Sequence, residues 1–210
     1  MKNIWAICKK EIKTYFTSPI AYVAGFVFLL LSGFFFYFFI MRFDSLSRDY
    51  SQNPYYLQEL NINQLVYPDL FFWMSIFLLF VLPLLTMRLF SEEKKIGTDE
   101  LLFTSPLSAN QIILGKYFGS VFVLLVILFL SGIPSIFTFV LGNPELAPIL
   151  NGYLGLFLMG AAFIAVGIFF SSLTDSQVIS AVLAYGTLFF FLILFLASYS
   201  VHGVGKEIIN

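Results

Sequence analysis

The chain has 210 residues, of which 60% are hydrophobic and only 11% charged, with a net charge of −1 and a mean hydropathy of +0.92. A soluble domain carries about 25% charged residues. This composition therefore excludes an ordinary cytosolic enzyme, a disordered chain and a secreted disulfide scaffold, and leaves a polytopic membrane protein. The near-zero net charge supplies no basic field for nucleic acid, and the single cysteine, Cys8, permits no intrachain disulfide.

Residues 2–18, ending at Ser18-Pro19, have the periodicity of an amphipathic helix. At about 100° per residue, Lys2, Lys9, Lys10 and Lys13 share an arc of about 100°. Ile4, Ile7, Cys8, Ile12, Tyr15 and Phe16 occupy the other side. The pattern predicts an interfacial elbow helix lying in the headgroup plane. Glu11 falls among the apolar residues. It either snorkels up to water or pairs with a cation on a neighbouring segment, as a latch between elbow and loop.

Five uncharged apolar stretches follow, at about 20–41, 70–87, 117–141, 149–173 and 178–198. As helices they measure about 27 to 38 Å, against a hydrocarbon core of about 30 Å. The first exceeds the h-region of a signal peptide and stays as an anchor. Pro83 in the second and Gly132-Ile133-Pro134 in the third predict kinks. Such a kink is either a broken helix lining a pathway or a static feature of packing. The pairs Gly115/Gly119, Ala161/Ala165 and Gly167/Ser171 allow close helix approach, within one subunit or across a dimer.

Orientation follows from Lys and Arg. Placing the N-terminus in the cytoplasm puts eight of these charges inside and three outside. Five spans then leave the C-terminus outside, and a sixth span is expected beyond residue 210 or from a partner.

None of the five span interiors contains Asp, Glu, Lys, Arg or His, the groups that proton-coupled carriers and intramembrane enzymes need. His202 has no partner at metal-ligand spacing, and Gly115-Lys116 lacks the rest of a P-loop. The expectation is a chain without catalytic residues, metal or cofactor, powered by another polypeptide at the cytoplasmic face.

The 88–116 loop carries the most information. Thr98 is placed to cap a short helix with Asp99 and Glu100 in its first turn, Leu101, Leu102 and Phe103 at its apolar end, and Pro106 as its stop. Glu92 and Glu93 precede it. Ser108 and Gln111 have the spacing of a capping box for the next helix.

The order of a basic amphipathic helix, Ser-Pro-Ile-Ala-Tyr, two spans, then Glu-x-x-x-Gly-Thr-x-Glu-Leu-Leu-x-x-x-Pro-Leu-Ser-x-x-Gln-Ile-Ile-Leu-Gly-Lys resembles the ABC-2 type permease subunits of ATP-binding-cassette transporters. Within that family it is most similar to the gliding-motility-associated permeases of Bacteroidetes-type bacteria. The resemblance covers essentially the whole chain as one transmembrane domain, with Glu93–Lys116 its most specific part. It implies a six-span bundle in the bacterial inner membrane and pairing with a second permease subunit as a homo- or heterodimer. It also implies a separate ABC ATPase subunit that binds the ATP and Mg. Gly97, Thr98, Glu100, Leu101, Leu102 and Pro106 would fall in or beside the coupling helix that touches that ATPase. Two functions fit: a permease, of exporter type, and a non-transporting membrane anchor for an ATPase or a motility or secretion assembly.

Overall fold

A computed structural model of the chain describes residues 2–50, 61–98, 107–141 and 144–209. Helices α1 (Lys2–Thr17), α2 (Pro19–Tyr50), α3 (Ile62–Leu65), α4 (Tyr67–Thr86) and α5 (Arg88–Ile96) make up the first half. Helix α6 (Ala109–Ser131), a 3-10 turn (Ile133–Ser135), α7 (Ile136–Leu141), α8 (Leu146–Leu173) and α9 (Gln177–Ile209) follow. There is no strand among the described residues. Five stretches are long and apolar enough to cross a bilayer: Pro19–Arg48, Ile62–Ile96, Ala109–Val140, Leu146–Leu173 and Gln177–Ser198. The protein is an all-α polytopic membrane protein.

Each spanning helix begins before the apolar window that marks it in the sequence, and α2 and α9 also run past its end. Hydropathy locates the part of a helix that lipid can tolerate, whereas hydrogen bonding carries the helix on through charged residues such as Arg42 and Arg48.

Helix α4 is the most buried of the five spanning stretches and packs against α2, α8 and α9. Leu70, Met74, Leu78, Leu82 and Leu85 recur at helical spacing on its buried positions. Aromatic rings fill the seams. Phe35 of α2 stacks on Trp73 at 4.7 Å, Phe71 meets Tyr153 of α8 edge-on at 5.3 Å, and Phe80 meets Phe189 of α9 at 5.5 Å. The outward faces of α2 and α9 remain apolar, including Phe26, Phe34, Phe190 and Phe195, as a lipid-facing surface requires.

The two breaker motifs behave differently. Gly132-Ile133-Pro134 interrupts the third span, where α6 gives way to the 3-10 turn before α7. Pro83 lies inside α4 without ending it, and the chain breaks at Met87, whose N–H bonds the Pro83 carbonyl at 2.9 Å.

Small residues are spent on packing inside the chain. A Cβ on Gly115 would lie 2.6 Å from Ile7 Cβ, and one on Gly119 would lie 2.8 Å from Glu11 Cβ. One on Gly167 would meet Thr86 Oγ1 at 2.0 Å. Gly115/Gly119 therefore seat α1 on α6, and Gly167 seats α8 on α4.

Candidate functional site

Helices α1, α5, α6 and the end of α8 converge at one end of the bundle. Asn3 bonds Gln111 at 3.5 Å, Ile7 faces Gly115 and Glu11 faces Gly119. These pairs advance in step, so α1 runs alongside the first turns of α6 in the same direction. Helix α1, the expected elbow, is thus seated on protein along the start of α6. Its apolar face, with Cys8 and Tyr15 both buried, packs on protein, and only Trp5 and Phe16 of its large apolar side chains remain exposed.

That packing explains Glu11. It is buried rather than snorkelling, and its Oε1 accepts from Lys116 Nζ at 3.0 Å. Lys116 also pairs with Glu93 Oε2 at 2.9 Å and donates to the Leu89 carbonyl at 2.6 Å. Its hydrogen bonds go to Glu11 and to the Leu89 carbonyl, and the Glu93 carboxylate is held as an ion pair. The Phe90 ring lies 4.9 Å from Nζ and adds a cation–π contact. Glu93 takes Lys10 Nζ on its other oxygen at 3.2 Å. Two carboxylates and two ammonium groups thus balance across three helices. Removing one member of a buried set leaves an uncompensated charge costing about 3–5 kcal/mol, so these charges define the packing geometry. Tyr15 extends the network, donating to the Leu85 carbonyl at 3.1 Å and lying 3.0 Å from Ser120 Oγ. Burial raises its phenol above the usual range. A cleft of about 280 Å³ opens between α1 and α5, bordered by Lys10, Arg88, Glu92 and Thr98.

Helix α5 has no side-chain cap of its own at Met87. Ser171 of α8 supplies one. Its Oγ accepts from Phe90 N–H at 3.0 Å and Ser91 N–H at 3.2 Å, and donates to the Met87 carbonyl at 2.9 Å. The clasp is returned at the other end of α5. Lys94 Nζ donates to the Ser172 carbonyl at 2.7 Å and lies 3.9 Å from Asp175, placing a cation at the C-terminus of α8.

The other sequence candidates divide among these elements. Glu92 pairs with Arg88 at 3.7 Å, one turn away on α5. Gly97 ends α5 at φ +74°, the left-handed conformation that favours glycine. Gly97 N–H bonds the Lys94 carbonyl, and Thr98 N–H and Oγ1 both bond the Glu93 carbonyl. The first part of the 88–116 loop, residues 88–96, is thus a helix, and Thr98 closes it. Asp99, Glu100, Leu101, Leu102 and Pro106 lie outside the described residues. Ser108 and Gln111 form the expected capping box on α6. Lys9 and Lys13 face outward. Pro83 lies one turn from the Met87 break, whereas Gly132 and Pro134 lie at the far end of α6, away from the clamp.

Sequence reasoning missed Lys116 and Ser171 as centres of the site. The signal for Lys116 was Glu11, an acid on an apolar face that required a cation. Ser171 carried no signal beyond its small size.

A helical bundle with no strand among the described residues, five apolar spanning stretches and a charge clamp at one end defines a membrane component. Residues 43–208 match the family model described as ABC-2 family transporter protein, and the chain belongs to that family. It is a permease subunit of an ABC transporter, and membership of the family implies association with an ABC ATPase subunit. No curated protein matches the chain. The family match is to ABC-2 transporters at large and does not single out the gliding-motility group. It begins after α1, so Lys10 and Glu11 come from outside the matched stretch.

Proposed function

We propose that this permease converts ATP hydrolysis by its partner ATPase into movement of its spans, in the direction of export. The ATPase engages residues 97–106 on the cytoplasmic side of the bacterial inner membrane. The N-terminus lies on that same side, and a second permease subunit, identical or not, completes the pathway.

The observation that supports this reading is the threefold coordination of Lys116. Residues 97–108 join α5 to α6, and Lys116 of α6 holds both Glu93 of α5 and Glu11 of α1. A push on the intervening segment reaches this cluster, in which Lys116 contacts oxygens of both α1 and α5. Gly97 gives the segment a sharp departure from α5. The excess of Lys and Arg in residues 2–18 and 88–116 supports the orientation.

A photo-crosslinking residue at Leu101, in permease co-expressed with an ABC ATPase from the same genome, tests the contact. An ATP-dependent crosslink to the ATPase is expected. Crosslinks only to lipid would remove these residues from the interface, and ATPase recruitment without flux would favour the anchor function.

A further inference from the structure

Helix α1 has a second face that the clamp does not use. Lys9, Lys13 and Phe16 fall at i, i+4 and i+7 and form one stripe. Both lysines are exposed and neither makes an ion pair among the described residues. The only acid on α1, Glu11, is already committed to Lys116. The stripe therefore presents two uncompensated positive charges.

At its foot, where α1 turns into α2, a groove of about 260 Å³ lies between α1, α2 and α6. Phe16, Tyr22, Phe26 and Leu29 wall it on one side, and Val126 and Leu130 on the other. Phe16, Tyr22 and Phe26 are 46%, 58% and 64% exposed, so no other element among the described residues covers the groove. The Tyr22 hydroxyl donates to the Phe16 carbonyl at 2.7 Å and fixes the corner that forms its mouth. Lys13 is the last charged residue before Arg42, so the groove sits where the chain passes from charged to wholly apolar. In a bilayer this is the boundary between headgroups and acyl chains, the depth at which tyrosine is enriched.

We propose that this corner binds an anionic phospholipid, with one acyl chain in the groove and the phosphate held by Lys13 and Lys9. The commitment to an anionic lipid follows from charge. A zwitterionic headgroup would gain little from two lysines with no acid beside them, whereas an anionic one gains at each. A lipid held here bridges α1 and α2 and fixes the angle at which the clamp helix leaves the first span. The site stands independently of the coupling mechanism, and neither its presence nor its absence bears on the ATPase interface.

The test uses the full chain in bilayers with Phe16→Trp as the only tryptophan, in a Trp5→Phe, Trp73→Phe background. Quenching by brominated-acyl phosphatidylglycerol is compared with quenching by brominated-acyl phosphatidylcholine across mole fractions. Phosphatidylglycerol should be preferred by on the order of tenfold. Lys9→Gln with Lys13→Gln should abolish the preference while both lipids still quench, which also shows the protein folded. Phe26→Trp provides a second reporter on the α2 wall. Quenching that simply follows mole fraction at both reporters would overturn the site. So would absence of quenching by either lipid, the result expected if a second copy of the chain covers the groove.

Discussion

Ser171 Oγ bonds the backbone N–H of Phe90 at 3.0 Å and so caps a helix in a different part of the chain from its own. The N-terminus of α5 is thereby held by α8, while Lys94 near the C-terminus of α5 holds the end of α8. The two helices are clasped at both ends, and α5 cannot rotate without moving the fourth span.

Replacing Ser171 by Ala should destabilise the permease by about 1–2 kcal/mol, the range for losing a helix cap and leaving its donors unpaired. Thermal unfolding in detergent would show this. Ser172→Ala, whose hydroxyl makes only a local bond to the Phe169 carbonyl, should change stability by less than about 0.5 kcal/mol.

Lys116→Met should cost about 3–5 kcal/mol, because it leaves the buried Glu11 without a counter-ion and Glu93 with Lys10 alone. Adding Glu11→Gln and Glu93→Gln should recover much of that loss, since the carboxylates that faced the cation disappear with it. A triple variant no more stable than the single one would show that packing, rather than charge, dominates the cluster.

Gly115→Ala and Gly119→Ala should each lift α1 from α6, costing about 1–3 kcal/mol through overpacking. Gly186, with no atom within 4 Å of a built Cβ, should accept Ala without loss. Cys8, the only cysteine and buried in that seam, reports the displacement directly: a thiol reagent should modify it faster in the two seam variants than in Gly186→Ala.

The same thiol carries a pH dependence. Burial, and secondarily the Glu11 carboxylate, raise Cys8 above the usual thiol range. The folded state then keeps a proton that the unfolded state gives up as pH rises, so the contribution is fully present below the usual thiol range and declines above it. Tyr15, raised by burial, adds a loss of the same sign at higher pH, beyond the usual phenol range. Stability measured from neutral to alkaline pH should fall less steeply in Cys8→Ser and in Tyr15→Phe than in the unmodified protein.

The five spans were legible because lipid imposes a long uncharged run, and 20–41 or 149–173 can hardly mean anything else. The capping box at Ser108 and Gln111 was legible for a similar reason, since its two hydrogen bonds depend only on local spacing. Helix α5 was obscured by its own composition: Ser-Glu-Glu-Lys-Lys reads as a solvated loop, although Lys94, Lys95 and Gly97 are ordinary signals for a helix end. The clamp was only half legible. Glu11 on the apolar side of α1 announced a missing cation, but nothing local says that the cation is Lys116, because the meeting depends on Gly115 and Gly119 admitting α1. Ser171 was the least legible residue, as its partners lie some 80 positions away along the chain and are backbone groups.

ATP turnover by the reconstituted permease–ATPase complex tests the central claim most directly. With Glu100→Ala and Leu101→Ala together, in permease that still inserts, the account predicts that ATP hydrolysis by the bound ATPase falls to the level of the ATPase alone. Turnover equal to that of the unmodified complex would contradict it.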